Sequence, residues 1–169
     1  MTRSERLEVT TPSDREIRMT RVFDAPRDLV FEALTTPALV RRWLGALEGW
    51  TFEICEIDAR TGGSYRYLWR HADGSELGMR GEFLEVTRPE RIVSTEVFDQ
   101  SWYEGHAVGT ATLTEREGRT TLSTTIRYDS KEIRDAVLRS PMESGVAQGY
   151  DRLDEVLAGI RTRTPTSRL

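Results

Sequence analysis

Ser140-Pro141-Met142-Glu143-Ser144-Gly145-Val146-Ala147-Gln148-Gly149-Tyr150-Asp151-Arg152-Leu153 is the stretch where the chain stops reading as strands and commits to one long helix. Ser140 suits the N-cap, Pro141 the first helical position and Glu143 the third, which is a capping-box pattern. Met142, Val146, Gly149, Tyr150, Leu153, Leu157 and Ile160 then recur at helical spacing, so the segment carries one apolar face to about Gly159. A terminal helix of this kind needs an apolar surface to lie on. Gly145 and Gly149 lie near that face, and each glycine inside a helix costs about 1 kcal/mol relative to alanine. Such a cost calls for close backbone approach, a bend, or space for a guest. The reading that follows is a cup that holds a small apolar molecule.

Upstream, the surface for that helix is built from alternating segments. Glu16–Phe23 alternates polar and apolar residues and reads as a half-buried strand. Pro26 opens a short helix with Leu29, Val30, Ala33 and Leu34 on one face. Thr36-Pro37 restarts a second, carrying Leu39, Val40, Trp43 and Leu44, with Gly45 as its stop. The period then changes to two. Strands are expected at Thr51–Asp58, Ser64–His71, Leu77–Thr87, Arg91–Phe98, Ala107–Arg116 and Arg119–Tyr128, broken by Gly62-Gly63, Asp73-Gly74, Arg88-Pro89-Glu90 and Glu117-Gly118. Ser130 caps a further helical segment through Arg139. Short connections imply antiparallel neighbours. Helices segregated from strands give an α+β fold: a seven-stranded curved antiparallel sheet wrapped on a long C-terminal helix, with two short helices between strands one and two.

The chain of 169 residues fits one domain with a real core. Residues 1–14 read as a flexible lead-in, 15–160 as the domain, and 161–169 as a flexible tail holding the basic cluster Arg161, Arg163 and Arg168. A net charge of −4 argues against nucleic acid, which wants a basic face. No apolar run approaches the ~20 residues of a membrane span, and the N-terminus has no signal-like apolar core. The single cysteine, Cys55, forms no intrachain disulfide, which fits a cytoplasmic setting.

The run Val22-Phe23-Asp24-Ala25-Pro26-Arg27-Asp28-Leu29-Val30-Phe31-Glu32-Ala33-Leu34-Thr35-Thr36-Pro37 resembles the opening of the START-like (SRPBCC, birch-pollen-allergen-like) superfamily. Within it, the chain looks like the branch named after the activator of heat-shock-protein-90 ATPase. Arg42-Trp43-Leu44-Gly45, Gly62-Gly63-Ser64-Tyr65-Arg66-Tyr67, Asp73-Gly74, Gly81–Val93 and Gly149-Tyr150-Asp151-Arg152-Leu153 carry the same likeness, from about Ile17 to Ala158. The resemblance implies a helix-grip fold with a cavity between sheet and terminal helix. The fold hosts lipid carriers, hormone receptors, polyketide cyclases and co-chaperones, so it leaves the activity open.

The pleat puts Tyr65, Tyr67 and Trp69 on one face, read as the concave one because Arg66 and Arg70 need water on the other. Phe83, Phe98 and Leu122 are expected to join them from neighbouring strands, and Met142, Gly145, Val146, Gly149, Tyr150 and Leu153 from the helix above. Trp43 is placed at the mouth and Trp102 on a loop flap. Buried phenols need hydrogen-bond partners, so the tyrosines can hold a ligand's polar group or bond to one another, to water or to the rim.

Catalytic signals are thin. His71 and His106 are the only histidines, no metal-binding spacing is present, and neither a metal nor a cofactor is expected. His106 follows an acidic, aromatic loop and is a weak general-base candidate. Glu96 is the better acid if it points inward, because burial would raise its pKa; a rim salt bridge is the plain alternative. Three function classes remain. The favoured one is binding of a hydrophobic small molecule, lipid- or polyketide-like. The second is a cyclase- or dehydratase-type enzyme in the same cavity, and the third a co-chaperone-like module with a chaperone partner. A homodimer through a sheet edge or the outer face is compatible with the pattern.

Overall fold

The computed structural model describes residues 6–45, 48–100, 103 and 105–163. Twelve elements follow in chain order: β1 (Glu8–Thr10), β2 (Glu16–Phe23), α1 (Arg27–Thr35), α2 (Pro37–Leu44), β3 (Trp50–Ile57), β4 (Ser64–His71), β5 (Glu76–Thr87), β6 (Arg91–Phe98), β7 (Ala107–Arg116), β8 (Arg119–Arg127), α3 (Lys131–Arg139) and α4 (Met142–Arg163). All strands join one antiparallel sheet in the order β1-β2-β8-β7-β6-β5-β4-β3. The fold is the expected α+β arrangement of a curved sheet and a C-terminal helix.

The sheet has eight strands rather than the seven expected. The extra one, Glu8–Thr10, falls in the stretch read as a loose lead-in and pairs along the edge of β2, Val9 opposite Met19. Three residues carry too little alternation to announce a strand. The edge of β2 offers the unpaired backbone groups that make it one.

Local chemistry explains the connections. The β7–β8 hairpin turns on Glu117 (φ 55°) and Gly118 (φ 77°), both left-handed, as a two-residue hairpin turn of matching twist requires. Ser130 caps α3, its hydroxyl accepting from Ile133 N at 3.1 Å. At the Ser140-Pro141 break, Ser140 Oγ accepts from Met142 N at 3.3 Å and donates to Val137 O, so one hydroxyl serves the end of α3 and the start of α4.

Helix α4 lies in the concave face of the sheet. Leu153 and Leu157 are fully buried there against Phe23, Leu113 and Leu122, and α1 contributes Val30 and Phe31 to the same core. Helices α1 and α2 carry the chain from β2 to the far edge strand β3 and pack against α4 on the way. Two buried arginines tie helices to strands. Arg134 on α3 donates to the carbonyls of Ser13 and Glu16, at 2.7 and 3.2 Å. Arg21 on β2 is only 4 % exposed and reaches Asp151 at 2.8 Å and Asp154 at 3.7 Å on α4. Ile17, Met19, Arg21 and Phe23 share the inward phase of β2, so Arg21 is a charge in an apolar slot, held by carboxylates that α4 brings to it.

Candidate functional site

The concave interior is not filled evenly. Under the first turns of α4, Met142 and Val146 pack against Ile17, Met19, Ala107 and Tyr128. Under α2, Trp69 stacks on Phe52 (4.7 Å between centroids, 11° between planes), donates Nε1 to Leu44 O at 3.2 Å and packs with Val40 and Cys55. Between these two packed zones lies a hollow of about 220 Å³.

Strands β4 to β8 form its wall, the ends of α1 and α2 one side, and Tyr150 of α4 its cover. Trp43, Tyr65, Tyr67, Phe83, Leu122 and Tyr150 all face it. The other residues read from sequence as lining lie elsewhere. Trp69 continues the Tyr65–Tyr67 row but sits beneath α2. Phe98 ends β6 opposite Met79. Met142 and Val146 belong to the packed zone, and Leu153 is buried in the main core. Gly145 is exposed, and a Cβ there would meet nothing within 4 Å; at Gly149 it would meet only the Trp43 ring, at 3.9 Å. The two glycines therefore do not make room for a guest. Trp102 lies outside the described residues.

Several lining residues were not legible as such. Gly109 and Ala111 on β7 and Ser94 on β6 are small, and it is their smallness that leaves the space. Their parity on the strands was readable, because each shares the inward phase. What was not readable is which bulky side chains would stand across from them.

Glu96 points into the hollow. It shares the inward side of β6 with Ile92 and Ser94, and burial pushes its carboxyl up to about 7. It is the one acidic or basic side chain of the lining among the described residues. His106, the other candidate, borders a groove with Arg66, Arg80 and Glu82 on the outer face. Glu96 and His106 therefore sit on opposite sides of the sheet and do not face one substrate. Two arginines of that groove are tied to Asp99, which accepts from Arg66 at 2.7 and 3.0 Å and from Arg80 at 2.7 Å and is held below the usual carboxyl range. Among the described residues no group of three His, Cys, Asp or Glu side chains comes together to hold a metal ion.

The tyrosine hydroxyls are largely engaged. The β5–β6 ladder opens at Gly81 and Glu82, between the Arg80–Val97 and Phe83–Ser94 pairs. Tyr65 lies across that opening and donates to the Thr95 carbonyl at 2.8 Å, while Thr95 Oγ1 accepts from Glu82 N at 2.9 Å. Gly81 is required here, since a Cβ would collide with the Thr95 carbonyl and the Tyr65 ring. The Tyr150 hydroxyl meets that of Thr124, and its ring packs edge-on against Phe23 at 5.5 Å. Burial raises the pKa of Tyr65, Tyr67 and Tyr150 alike, so all three stay neutral phenols.

Comparison with known proteins gives this architecture its relatives. A protein from Rhodobacter sphaeroides of solved structure is 30% identical, with a TM-score of 0.86 over 91% of this chain and 99% of its own. A Chromobacterium violaceum protein is 28% identical, with a TM-score of 0.70 over 86% of this chain and 98% of its own. An HSP90 activator from Plasmodium falciparum shares the fold more distantly, at 23% identity and a TM-score of 0.51 over 67% of this chain and 72% of its own. No curated protein matches. The family model described as activator of Hsp90 ATPase homolog 1-like protein matches residues 24–158, and the chain belongs to that family.

Proposed function

We propose that the protein is a binding module whose hollow under Tyr150 takes a small, largely hydrophobic molecule. The observation that carries this reading is an apolar, aromatic space of about 220 Å³ left open between two closely packed zones of the same interface. Protein interiors are normally filled to crystal-like density, so an apolar hollow of this size leaves its lining short of contacts that a guest would supply. It corresponds to roughly seven water molecules at ~30 Å³ each and lies below the ~300–1,000 Å³ of drug-sized sites. The guest is therefore small, or only part of a longer chain enters.

Glu96 supports a second reading, a cyclase- or dehydratase-type reaction in the same space. A carboxyl that titrates near 7 can give or take a proton at neutral pH. A co-chaperone role draws less from the molecule. The large apolar side chains exposed among the described residues are Leu84 on β5 and Leu138 on α3, single residues on separate elements.

Native mass spectrometry of protein from its own host, followed by a thermal-shift screen of small lipophiles, tests the binding reading. A ligand at a hundred times its Kd stabilises the folded form by about 2.7 kcal/mol, a rise of several degrees. Ala111→Phe should fill the hollow and abolish the shift. If nothing co-purifies and no compound raises the melting temperature, or if Ala111→Phe leaves every shift intact, the binding reading fails.

A further inference from the structure

We infer that the guest of the hollow is a small organic cation, a protonated amine on an apolar body, with the Glu96 carboxylate as its counter-ion and the surrounding aromatic side chains as its walls. This rests on the reading of the hollow as a binding site and narrows it to a ligand class.

The lining offers one acidic or basic side chain. Among the described residues that group is Glu96, which is negative once ionised. An anionic guest would meet that charge in a medium of low dielectric, where repulsion is strong. A neutral polar guest that needs a hydrogen bond from the wall finds the Tyr65 hydroxyl committed to Thr95 O and the Tyr150 hydroxyl engaged with Thr124. The hydroxyls of Tyr67 and Ser94 also line the wall and can serve a neutral guest, but the one ionising group is the Glu96 carboxyl, and a carboxylate accepts most strongly from a charged N–H donor.

The rest of the lining agrees. Trp43, Tyr65, Tyr67 and Tyr150 crowd the same small space, and aromatic faces attract organic cations, more so when water is excluded. A buried carboxylate without a counter-charge is costly, and a guest ammonium offsets that cost. The Glu96 charge bears on three phenols, Tyr65 on β4, Tyr103 in the loop before β7 and Tyr128 just after β8, and raises the pKa of each. The buried cation Arg21 acts on Tyr150 and is held by Asp151 and Asp154 of α4.

Four probes of one skeleton test the assignment on the full chain: phenethylamine, phenethyl alcohol, ethylbenzene and phenylacetate, followed by calorimetric titration and thermal shift. At about pH 8, the amine should bind at least tenfold tighter than the alcohol, and phenylacetate should bind least. Below about pH 7, amine affinity should fall roughly tenfold per pH unit as Glu96 takes up its proton, while ethylbenzene affinity stays flat. Glu96→Gln should bring the amine down to the level of the alcohol and leave the alcohol and hydrocarbon bound. Should that variant fold poorly, the pH profile of the unmodified chain carries the same test. Equal binding of amine, alcohol and hydrocarbon, indifferent to Glu96→Gln, overturns the cation assignment and leaves the hollow as a general apolar site. Absence of binding by all four overturns it as well, and the host-derived ligand then decides separately whether the hollow binds anything.

Discussion

Two inward positions of strand β7 face the same helix and behave differently. Ala107 is fully buried in the zone with Ile17, Met19 and Tyr128, where α4 sets down Met142 and Val146. Ala111, four residues on and on the same side of the pleat, looks into the hollow together with Gly109, Ser94 and Thr124. Neither the strand nor the residue type distinguishes them. At Ala107 the neighbours are large enough to close over a methyl group. Ala111 stands between Ile92 and Thr124, but beside it Gly109 faces Ser94, and the cover is the ring of Tyr150, already fixed by Phe23 and Thr124. A fold can thus leave a hollow beside an ordinary core where a glycine and a serine face each other on adjacent strands and an aromatic lies over them.

The sharpest way to break this contrast is to enlarge both alanines. Ala107→Leu should overpack its zone and cost roughly 1–3 kcal/mol, whereas Ala111→Leu should grow into empty space and change stability by less than about 1 kcal/mol in either direction. Denaturant titration of the two variants measures the difference, and equal costs would mean that the hollow is already filled.

Glu96 gives the next largest effect. Its carboxyl titrates near 4.5 when unfolded and near 7 when folded. Below the lower value both states hold the proton and the group is neutral in its effect. Between the two values the unfolded chain has released its proton while the folded chain retains it, so stability falls as pH rises; above about 7 the loss is complete. A shift of this size is worth up to roughly 3 kcal/mol, and about 2 kcal/mol once partial exposure is allowed for. Glu96→Gln should remove that slope and melt several degrees higher than the parent at about pH 8, with little difference at about pH 4. Parallel melting curves across this range would place the carboxylate in water instead.

The smallest effect concerns α4 itself. Gly145 faces open space, so Gly145→Ala should stabilise the helix by about 1 kcal/mol without touching the hollow or any ligand shift. A loss of ligand response in that variant would return the glycine to the binding site.

Much of this molecule is legible in its sequence. Period-two alternation and the Gly62-Gly63, Asp73-Gly74 and Glu117-Gly118 breaks place seven strands, because a pleated strand with one buried face has no freedom about which residues turn inward. The same rule put Tyr65 and Tyr67 on the inner face and made Glu96 conditional on the parity of β6. Arg21 was equally readable in hindsight, as a charge in the inward phase of Ile17, Met19 and Phe23. Strand β1 was not, since three residues become a strand only when β2 offers an edge.

Sequence by itself determined the elements, their order and the face that each residue occupies, because these follow from backbone periodicity and turn chemistry within a few neighbouring residues. Only the tertiary structure decided that the inner face is solid at Ala107 and hollow at Ala111, that the Tyr65 hydroxyl is spent on a gap in the sheet at Gly81, and that Arg21 is held by Asp151 and Asp154. Each of these depends on volumes and charges that meet across residues far apart in the chain, and no local pattern encodes what will stand opposite.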